Sequence, residues 1–329
     1  MSNERVAIVG GSGFVGSALA VQLSKNYRVK VVDRNQPKSA IGDFFSCDIR
    51  NYDEVEKALK DIDLVIHTAI IQIPTINQEK RLGYEVNIIG TQNVCEAVRK
   101  SATAKGMIIA GSWHTIGERK IEGVLDEKFG FRPDMVEDRA RLYALCKVGQ
   151  EAAVRICDEM EKEKTFGVLR LGTVLGNGMP ANTAANLFIE NALTGRPITP
   201  FEHSMHRPML YVDIGDVCYA FESFARKILS GEIASTDSID HVFNIYYPEP
   251  ITILELAYLI KQLVRSETAG RIDAEVKIVS TGQEIVFSET DKSKMTVDIS
   301  KLRSLIGSWK LTNPRETIAR IVKERVHST

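Results

Sequence analysis

The first 172 residues alternate two kinds of apolar pattern. Short runs rich in Val, Ile and Leu are typical of buried strands. They are separated by segments in which apolar residues recur every three or four positions, as on one face of a helix. This alternation predicts βαβ units with right-handed crossovers, and therefore a doubly wound parallel sheet covered by helices on both faces. The expected strands are Val6–Gly10, Val29–Asp33, Asp43–Cys47, Leu64–Thr68, Met107–Ser112 and Phe166–Leu171.

The helices expected between these strands are Phe14–Lys25, Tyr52–Leu59, Gly83–Lys100 and Ala140–Glu161. Beyond Gly172 the alternation is less regular, since a turn rich in Gly, Asn and Pro is followed by helical stretches joined by irregular segments. These stretches lie near Thr183–Leu193, Ile214–Leu229, Ile253–Val264 and Asn313–Lys323. We expect an α/β chain with a larger N-terminal domain over residues 1–172, to which later strands can contribute, and a smaller C-terminal α/β lobe formed mainly by residues 173–329.

The overall charge is close to zero, because 42 Lys and Arg residues are balanced by 43 Asp and Glu residues. No global field would recruit nucleic acid or an anionic membrane, so neither is an expected partner. We find no signal peptide and no apolar run of the roughly 18 residues that a membrane span needs. The five cysteines include no CxxC pair, which argues against a disulfide framework and a zinc site. We expect a cytoplasmic protein that acts on a small molecule, with no metal.

The first expected strand continues into Gly10–Gly16, a GxxGxxG turn that precedes a helix. Glycine permits a tight turn and lets backbone N–H groups approach a pyrophosphate, while the helix N-terminus adds partial positive charge. Asp33 ends the next strand about twenty residues later, where a carboxylate accepts both ribose hydroxyls of an adenosine and repels a 2′-phosphate. The pattern predicts a Rossmann-type site that prefers NAD to NADP. The neighbouring Arg34 complicates that preference, because a guanidinium there either stacks on adenine or neutralises a 2′-phosphate.

Asp48 and Ile49 follow the third expected strand. They can place a carboxylate beside the adenine amino group with an apolar wall next to it. A solvated turn is an equally good interpretation, and the pair by itself does not decide between the two.

A tyrosine and a lysine, Tyr143 and Lys147, lie four residues apart in one expected helix and therefore on the same face. A free phenol has a pKa near 10, so a nearby ammonium and a nicotinamide cation are needed to favour its ionised form at neutral pH. Tyr143 can then exchange a proton with a substrate, and Lys147 can also bind the nicotinamide ribose. Ser112 ends the fifth strand at the carboxyl edge of the sheet, where its hydroxyl can polarise a substrate oxygen.

Taken together, these motifs resemble the extended short-chain dehydrogenase/reductase family, in particular its NAD-dependent epimerase/dehydratase group acting on nucleotide sugars. The resemblance covers nearly the whole chain. Its markers stand in the family's order: the Gly10–Gly16 turn, Asp33, Asp48-Ile49, His67-Thr68-Ala69, Asn87 to Thr91, Ser112, Tyr143 with Lys147, and Leu169-Arg170 through Val174 and Gly176.

The resemblance implies tightly held NAD and a transient hydride transfer, with Ser112, Tyr143 and Lys147 as catalytic residues. It also implies a homodimer built on Gly83–Lys100 and Ala140–Glu161. The implied cofactor contacts are Gly10, Gly13, Phe14, Val15, Gly16, Asp33, Arg34, Asp48, Ile49, Thr68, Ala69, Ile70, Asn87, Tyr143, Lys147, Leu171 and Val174. The implied substrate contacts are Trp113, His114, Thr173, Asn186 and Arg207, of which Arg207 would clasp the diphosphate of a nucleotide sugar.

Departures from the family pattern affect the choice of substrate. The Thr-Asp-Glu run of the 4,6-dehydratases is replaced by Ser112-Trp113-His114, so dehydration is not expected. Thr173 stands where many of the epimerases have asparagine, and no arginine lies between Arg271 and Arg303 to serve as a second diphosphate ligand. We expect a nucleotide-sugar 4-epimerase. The alternatives are a dehydrogenase of a sugar or uronic acid that releases NADH, favoured by Trp113-His114, and a non-catalytic NAD-sensing protein.

Overall fold

The computed structural model describes residues 3–39, 41–233 and 237–328. The strands, in chain order, are β1 (Arg5–Val9), β2 (Arg28–Asp33), β3 (Asp43–Ser46), β4 (Leu64–His67), β5 (Gly106–Ser112), β6 (Gly123–Leu125), β7 (Thr165–Leu171), β8 (Thr173–Leu175), β9 (Pro208–Met209), β10 (Tyr211–Asp213), β11 (Val242–Ile245), β12 (Ile251–Thr252) and β13 (Met295–Val297). The helices are α1 (Phe14–Leu23), α2 (Tyr52–Ala58), α3 (Thr75–Gln78), α4 (Lys80–Tyr84), α5 (Thr91–Lys100), α6 (Arg141–Met160), α7 (Ala184–Leu193), α8 (Ile214–Ser230), α9 (Ile253–Glu267), α10 (Ser300–Ile306) and α11 (Pro314–Ser328).

One seven-stranded parallel sheet organises the chain, with the order β11-β7-β5-β4-β1-β2-β3. The order runs outward from β1 in both directions, which is the doubly wound topology that the alternating pattern predicted. The expected fold class is therefore confirmed. The edge strand β11 comes from the C-terminal half of the chain and pairs with β7, so that later segment completes the sheet.

Each face of the sheet is covered by apolar helix faces. Leu19 of α1 packs with Phe221 and Phe224 of α8 against one face, and Val94 of α5 packs with Val154 of α6 against the other. The inner strands β1, β4, β5 and β7 are buried on both sides, which explains their continuous Val/Ile/Leu runs. No helix within the described ranges is long and apolar enough to cross a membrane.

A smaller lobe lies over the carboxyl edge of the sheet. Its core is formed by helices α7, α9 and α11, with Ile189, Leu256 and Ile321 fully buried. The lobe is joined to the sheet at Gly172, after which β8 pairs in parallel with β10. This pairing carries the segment just before β10, including Arg207, to the edge where β5 and β7 end.

The helix expected over Gly83–Lys100 is interrupted. A π-helical turn spans Glu85–Gly90 between α4 and α5. The wider turn places the buried Asn87 amide beside the loop after β4, where it accepts from Ile71 N at 2.7 Å and donates to Ile71 O at 3.1 Å. A regular 3.6-residue pattern does not distinguish such a turn from an α-helix, because both keep apolar residues on one face.

Candidate active site

A cleft of about 850 Å³ runs along the carboxyl edge of the sheet, beneath the smaller lobe. At one end lies the turn between β1 and α1. Gly10 has φ +83°, and a Cβ on it would lie 2.4 Å from Ala69 N, so only glycine fits there. Gly13, the N-cap of α1, carries no side chain that would cap the helix. The first-turn amides of α1 are therefore open toward the cleft, as binding of an anion requires.

Asp33, at the end of β2, lies beside this turn. Its carboxylate accepts from Ser12 N at 3.0 Å and from Asn35 N at 2.9 Å. Arg34 and Asp48 line the same end of the cleft. Asp48 is ion-paired with Arg50 at 2.6 Å, and the hydrogen bond from Arg50 holds the pKa of Asp48 below its usual value. The carboxylate of Asp48 is thus held by Arg50 at this end of the cleft.

The loop after β4 forms the floor of this end. Thr68 Oγ1 donates to the carbonyls of Val9 and Gly10 at 3.1 Å, which ties the loop to the glycine turn. We call residues 10–16, 33–34, 48–49 and 68–70 the cofactor half of the cleft. All of its walls come from the β1–β4 part of the sheet.

Ser112, Tyr143 and Lys147 converge at the middle of the cleft. Ser112 ends β5, while the other two lie one turn apart on α6, where Lys147 is buried and Tyr143 is half-buried. Burial raises the pKa of Tyr143 to about 12, and the hydrogen bond with Ser112 is the contact that opposes this rise. Burial lowers the pKa of Lys147 to about 7, and its Nζ donates to Ala110 O at 2.6 Å.

The far end of the cleft is built from buried charged groups. Arg207 is 6% exposed, and its Nη1 lies 2.8 Å from Glu137 Oε2 and 3.5 Å from Glu118 Oε1. Glu137 also accepts from Arg139 Nε at 2.7 Å. His114 reaches the same cluster, with Nε2 at 3.4 Å from Glu118 Oε1. We call Trp113, His114, Glu118, Arg139 and Arg207 the substrate half of the cleft.

The cluster is electrically balanced. Burial disfavours ionisation of Glu118, but the facing Arg207 guanidinium and the His114 contact outweigh it, so its pKa lies below the usual range. Opposing carboxylates likewise hold the pKa of Arg207 above its usual value despite burial. Arg139 and Arg207 carry two positive charges, and Glu118 and Glu137 carry two negative charges, so the formal charges of the four side chains cancel.

Most predicted site residues line this cleft, and two do not. Asn87 lies beneath the floor, where it holds the Ile71 backbone. Asn186 lies on α7, and its side chain is bonded to Ala181 O at 3.2 Å and Arg325 Nη2 at 2.5 Å. The predicted residues that do line the cleft are Gly10, Gly13, Phe14, Val15, Gly16, Asp33, Arg34, Asp48, Ile49, Thr68, Ala69, Ile70, Ser112, Trp113, His114, Tyr143, Lys147, Leu171, Thr173, Val174 and Arg207.

The two glutamates paired with Arg207 were not predicted from the sequence. Glu118 and Glu137 lie between β5 and α6, a stretch of short 3-10 turns and irregular backbone with no periodicity to orient a side chain. A usable signal was the position of Glu118 four residues after His114, the spacing at which two side chains meet along a turn of helix.

The comparison with protein-family models decides the family. The model of the NAD dependent epimerase/dehydratase family matches residues 6–244, which is more than half of the chain. The chain belongs to this family. Among the residues described, no cluster of His, Cys, Asp or Glu could hold a metal ion.

Relatives within and around the family have several different activities. The human sterol-4-alpha-carboxylate 3-dehydrogenase, decarboxylating, is 30% identical over 200 residues, 59% of this chain and 50% of that protein. The UDP-glucose 4-epimerase of Rickettsia bellii (strain OSU 85-389) is 25% identical over 240 residues, 67% of this chain and 63% of that protein. This chain spans about half the length of the sterol dehydrogenases that it matches.

The fold is shared with solved structures of nucleotide-sugar enzymes. The UDP-glucuronic acid 4-epimerase from Bacillus cereus in complex with NAD superposes with a TM-score of 0.76 at 20% identity, covering 98% of this chain and 99% of that one. The family is NAD-dependent, and the cofactor half fits that dinucleotide. Open amides at α1 suit a pyrophosphate, and the Asp33 carboxylate suits the hydroxyls of a ribose.

Proposed function

We propose that this chain interconverts a secondary alcohol and a ketone on a sugar by NAD-linked hydride transfer. The observation that carries the proposal is the convergence of Ser112, Tyr143 and Lys147 between the cofactor half and the substrate half of one cleft. NAD, when bound along the cofactor half, supplies the hydride acceptor at its nicotinamide ring. The protein's own groups bind the sugar, exclude water and move the hydroxyl proton.

Each of the three central residues has a distinct part. Tyr143 exchanges the proton of the reacting hydroxyl. Ser112 orients the same oxygen from the end of β5. Lys147 lines the cleft, so its Nζ can bind a ribose hydroxyl once it leaves Ala110 O. Trp113 and His114 provide an aromatic wall against which a sugar ring can pack.

A nucleotide-sugar 4-epimerase is the first specific form of this proposal. It is supported by the family, by the similarity to UDP-glucose 4-epimerases and by an arginine, Arg207, in the wall of the substrate half. In this form the hydride returns to the other face of the same carbon, so no NADH is released. A diphosphate would have to displace Glu118 or Glu137 from Arg207.

A dehydrogenase of a sugar or uronic acid is the second form, and one observation favours it. Arg207 is already neutralised by Glu118 and Glu137, which disfavours the approach of two phosphate charges. Asn186, another expected substrate contact, is bonded to Arg325 outside the cleft. A sugar without a diphosphate encounters neither obstacle.

One assay separates the two forms. The purified protein is mixed with NAD and, in turn, UDP-glucose, UDP-glucuronic acid, glucose or glucuronic acid, and reduced nicotinamide and sugar products are followed together. Conversion of a UDP-sugar to its C4 epimer without NADH supports the epimerase. Stoichiometric NADH with a free sugar supports the dehydrogenase. A protein that binds NAD but transfers hydride from none of these sugars would contradict the proposal and favour a sensing role.

We also propose a homodimer formed by the helices flanking the π-turn and by α6. Apolar side chains on these elements are unusually exposed in the single chain: Tyr84, Ile89, Leu145, Ile156 and Met160 are each between 45% and 62% exposed. Such a patch is typical of a protein–protein interface. Light scattering on the parent and on Ile156→Glu should give a dimer and a monomer, respectively.

A further inference from the structure

The carboxyl ends of β4 and β7 each carry a buried polar side chain on the face of the sheet that α5 and α6 cover. Val65 of β4 packs in the apolar core on that face, so strand alternation places His67 there too. Val168 of β7 packs in the same core, and Arg170 is therefore on this face as well. His67 and Arg170 thus lie above the apolar core, at the edge of the sheet where the cleft is found.

Helix α6 reaches both of these side chains through two consecutive residues. Glu151 accepts two hydrogen bonds from Arg170, from Nε at 2.9 Å and from Nη2 at 2.6 Å. Gln150 Nε2 donates to Thr91 Oγ1 at 2.8 Å, and His67 Nε2 lies 3.0 Å from the same oxygen. Each of the five residues is at most 2% exposed, so water does not compete for these contacts.

Lys147 makes a third contact between α6 and the sheet, since its Nζ donates to Ala110 O of β5 at 2.6 Å. The three strands stand side by side in the order β7-β5-β4. Glu151 thus binds to the first strand and Lys147 to the second, while Gln150 is linked to the third through Thr91 of α5. Because consecutive helical residues point about 100° apart around the axis, the two outer contacts resist rotation of α6 in opposite directions.

The helix face that makes these contacts also carries the central tyrosine. Tyr143, Lys147, Gln150 and Glu151 stand at positions i, i+4, i+7 and i+8 of α6, which is the spacing of one face of an α-helix. The described residues that line the cleft include the first two and neither of the last two. A contact that fixes the rotation of α6 at Gln150 and Glu151 therefore also fixes the direction in which Tyr143 points, two turns earlier.

We propose that Gln150 and Glu151 are positioning residues for the hydride-transfer centre, a role that rests on the function proposed above. They hold α6 between β4 and β7, so that Tyr143 and Lys147 point to the end of β5, where Ser112 lies. Misplacing a reacting group by about 1 Å lowers a rate by about 10²-fold, even when the cause lies away from the chemistry. These buried contacts thus set the turnover number without touching the sugar or the cofactor.

The first test compares two replacements of Thr91, which is buried in α5. Thr91→Val removes the oxygen that Gln150 and His67 contact but keeps the shape of the side chain, whereas Thr91→Ser keeps the oxygen. With whichever sugar of the panel reacts, Thr91→Val should lower kcat about 10²-fold and leave KM and NAD affinity within about twofold. Thr91→Ser should keep kcat within about threefold of the parent. If Thr91→Val does not fold, Gln150→Met, which removes the amide at similar length, replaces it.

Asp158→Asn is the matched control, because it weakens another buried pair of α6. Asp158 Oδ2 lies 2.7 Å from His241 Nδ1, and the new amide keeps an acceptor for Phe166 N. The variant should lower the midpoint of thermal unfolding, as Thr91→Val does. Its kcat should stay within about twofold of the parent, because about 16 Å of helix separates Asp158 from Lys147. A loss of kcat as large as that in Thr91→Val would make the effect one of general helix stability and reject the positioning role.

The second test needs no sugar and no turnover. Crystal structures of the parent and of Thr91→Val locate α6 directly. In the variant α6 should turn about its axis, which should move the Tyr143 hydroxyl by about 1 Å and lengthen the contact between Lys147 Nζ and Ala110 O. An α6 in its parental position, in a variant that has lost turnover, would overturn the proposal.

The outcomes distinguish positioning from the function on which it rests. A raised KM with unchanged kcat, or an equal loss of kcat in Thr91→Val and Thr91→Ser, would reject the positioning role, while the hydride-transfer proposal would stand. If no sugar reacts, the hydride-transfer proposal fails, and the two crystal structures still decide whether the contacts of Thr91 fix the rotation of α6.

Discussion

The cofactor half of the cleft presents backbone amides, whereas the substrate half presents buried charged side chains. In the former, recognition depends on glycines that keep side chains away from α1, with Asp33 bonded to Ser12 N and Asn35 N. In the latter, the buried Arg207 is paired with the buried Glu118 and Glu137, and the exposed Arg139 balances the second glutamate. The cofactor half thus offers unpaired amides to an anion, while the charged side chains of the substrate half are already paired with one another.

This difference bears on specificity. Open amides bind any suitably shaped phosphate without rearrangement. Buried ion pairs resist new charges, because separating them leaves desolvated ions unpaired. The substrate half therefore favours neutral hydroxyl groups, or a ligand whose charge replaces one of the glutamates. In the proposed function, the reacting centre lies between the two halves and depends on both.

Replacement of Tyr143 by Phe should have the largest effect on turnover. Removing the phenol oxygen breaks proton transfer while leaving the ring, so kcat should fall by about 10²–10⁴. The cofactor half lies on other elements, so NAD affinity measured by calorimetry should stay within about twofold of the parent. Turnover near the parental value would show that the reacting centre lies elsewhere in the cleft.

The two halves also differ in how far the sequence predicts them. The cofactor half was predictable because the turn after β1, the end of β2 and the start of α1 belong to one βαβ unit, where spacing determines geometry. Tyr143 and Lys147 were predictable for the same reason, as neighbours on one helix. The fold class followed from the apolar alternation, although the π-turn at Glu85–Gly90 did not.

The substrate half was not predictable, because long-range contacts between irregular segments form it. Arg207 is 89 residues from Glu118, and strand pairings of the later chain, β8 with β10 and β9 with β12, bring its segment to the cleft. The sequence suggested that Arg207 is free to bind a diphosphate. In the structure its guanidinium is already paired with Glu118 and Glu137. Asn186 was also expected to contact a ligand from its place in the sequence. In the structure its side-chain oxygen accepts a hydrogen bond from Arg325 of α11.

Glu118→Gln should destabilise the protein, because it leaves Arg207 with one carboxylate. Losing one partner of a buried pair costs about 3 kcal/mol, which urea unfolding near neutral pH should show. The pKa of Glu118 is depressed in the folded state, so its stabilisation is present above the ordinary value of 4.5 and is lost as pH falls below it. The parent and variant should therefore converge in stability on acidification.

A matched control for that measurement is Glu190→Gln, which removes an exposed carboxylate paired with Arg196 at 3.4 Å. The exposed pair should contribute under about 1 kcal/mol, with little pH dependence. An equal loss of unfolding free energy in the two variants would mean that the buried ion pairs of Arg207 do not stabilise the substrate half more than an exposed pair does.

Two glycines of the cofactor half should respond differently to alanine. A Cβ on Gly16 would lie 2.2 Å from Gly10 O, so Gly16→Ala forces the turn apart and should cost about 2 kcal/mol of stability. A Cβ on Gly13 meets only Gly10 O, at 3.4 Å, so Gly13→Ala should keep stability within about 0.5 kcal/mol. Thermal unfolding with and without NAD checks both.

Gly13 lines the cleft, so the methyl group added in Gly13→Ala should narrow the space at the start of α1 and lower NAD affinity about tenfold, a change of about 1.4 kcal/mol. Loss of stability without loss of affinity in this variant would place the pyrophosphate away from α1.

Asp33→Asn should have the smallest effect and bears on the preference for NAD. The amide keeps the size of the side chain and one acceptor toward Ser12 N, but it removes the charge that repels a 2′-phosphate. The ratio of NADP to NAD affinity should rise about tenfold, or about 1.4 kcal/mol.

Arg34→Ala is the comparison variant, since it removes the cation that would neutralise that phosphate. It should lower the ratio if Arg34 faces the 2′ position and leave it unchanged if Arg34 stacks on adenine. A ratio that moves in neither variant would mean that the ribose does not reach the end of β2, and the cofactor half would then hold the dinucleotide by its pyrophosphate alone.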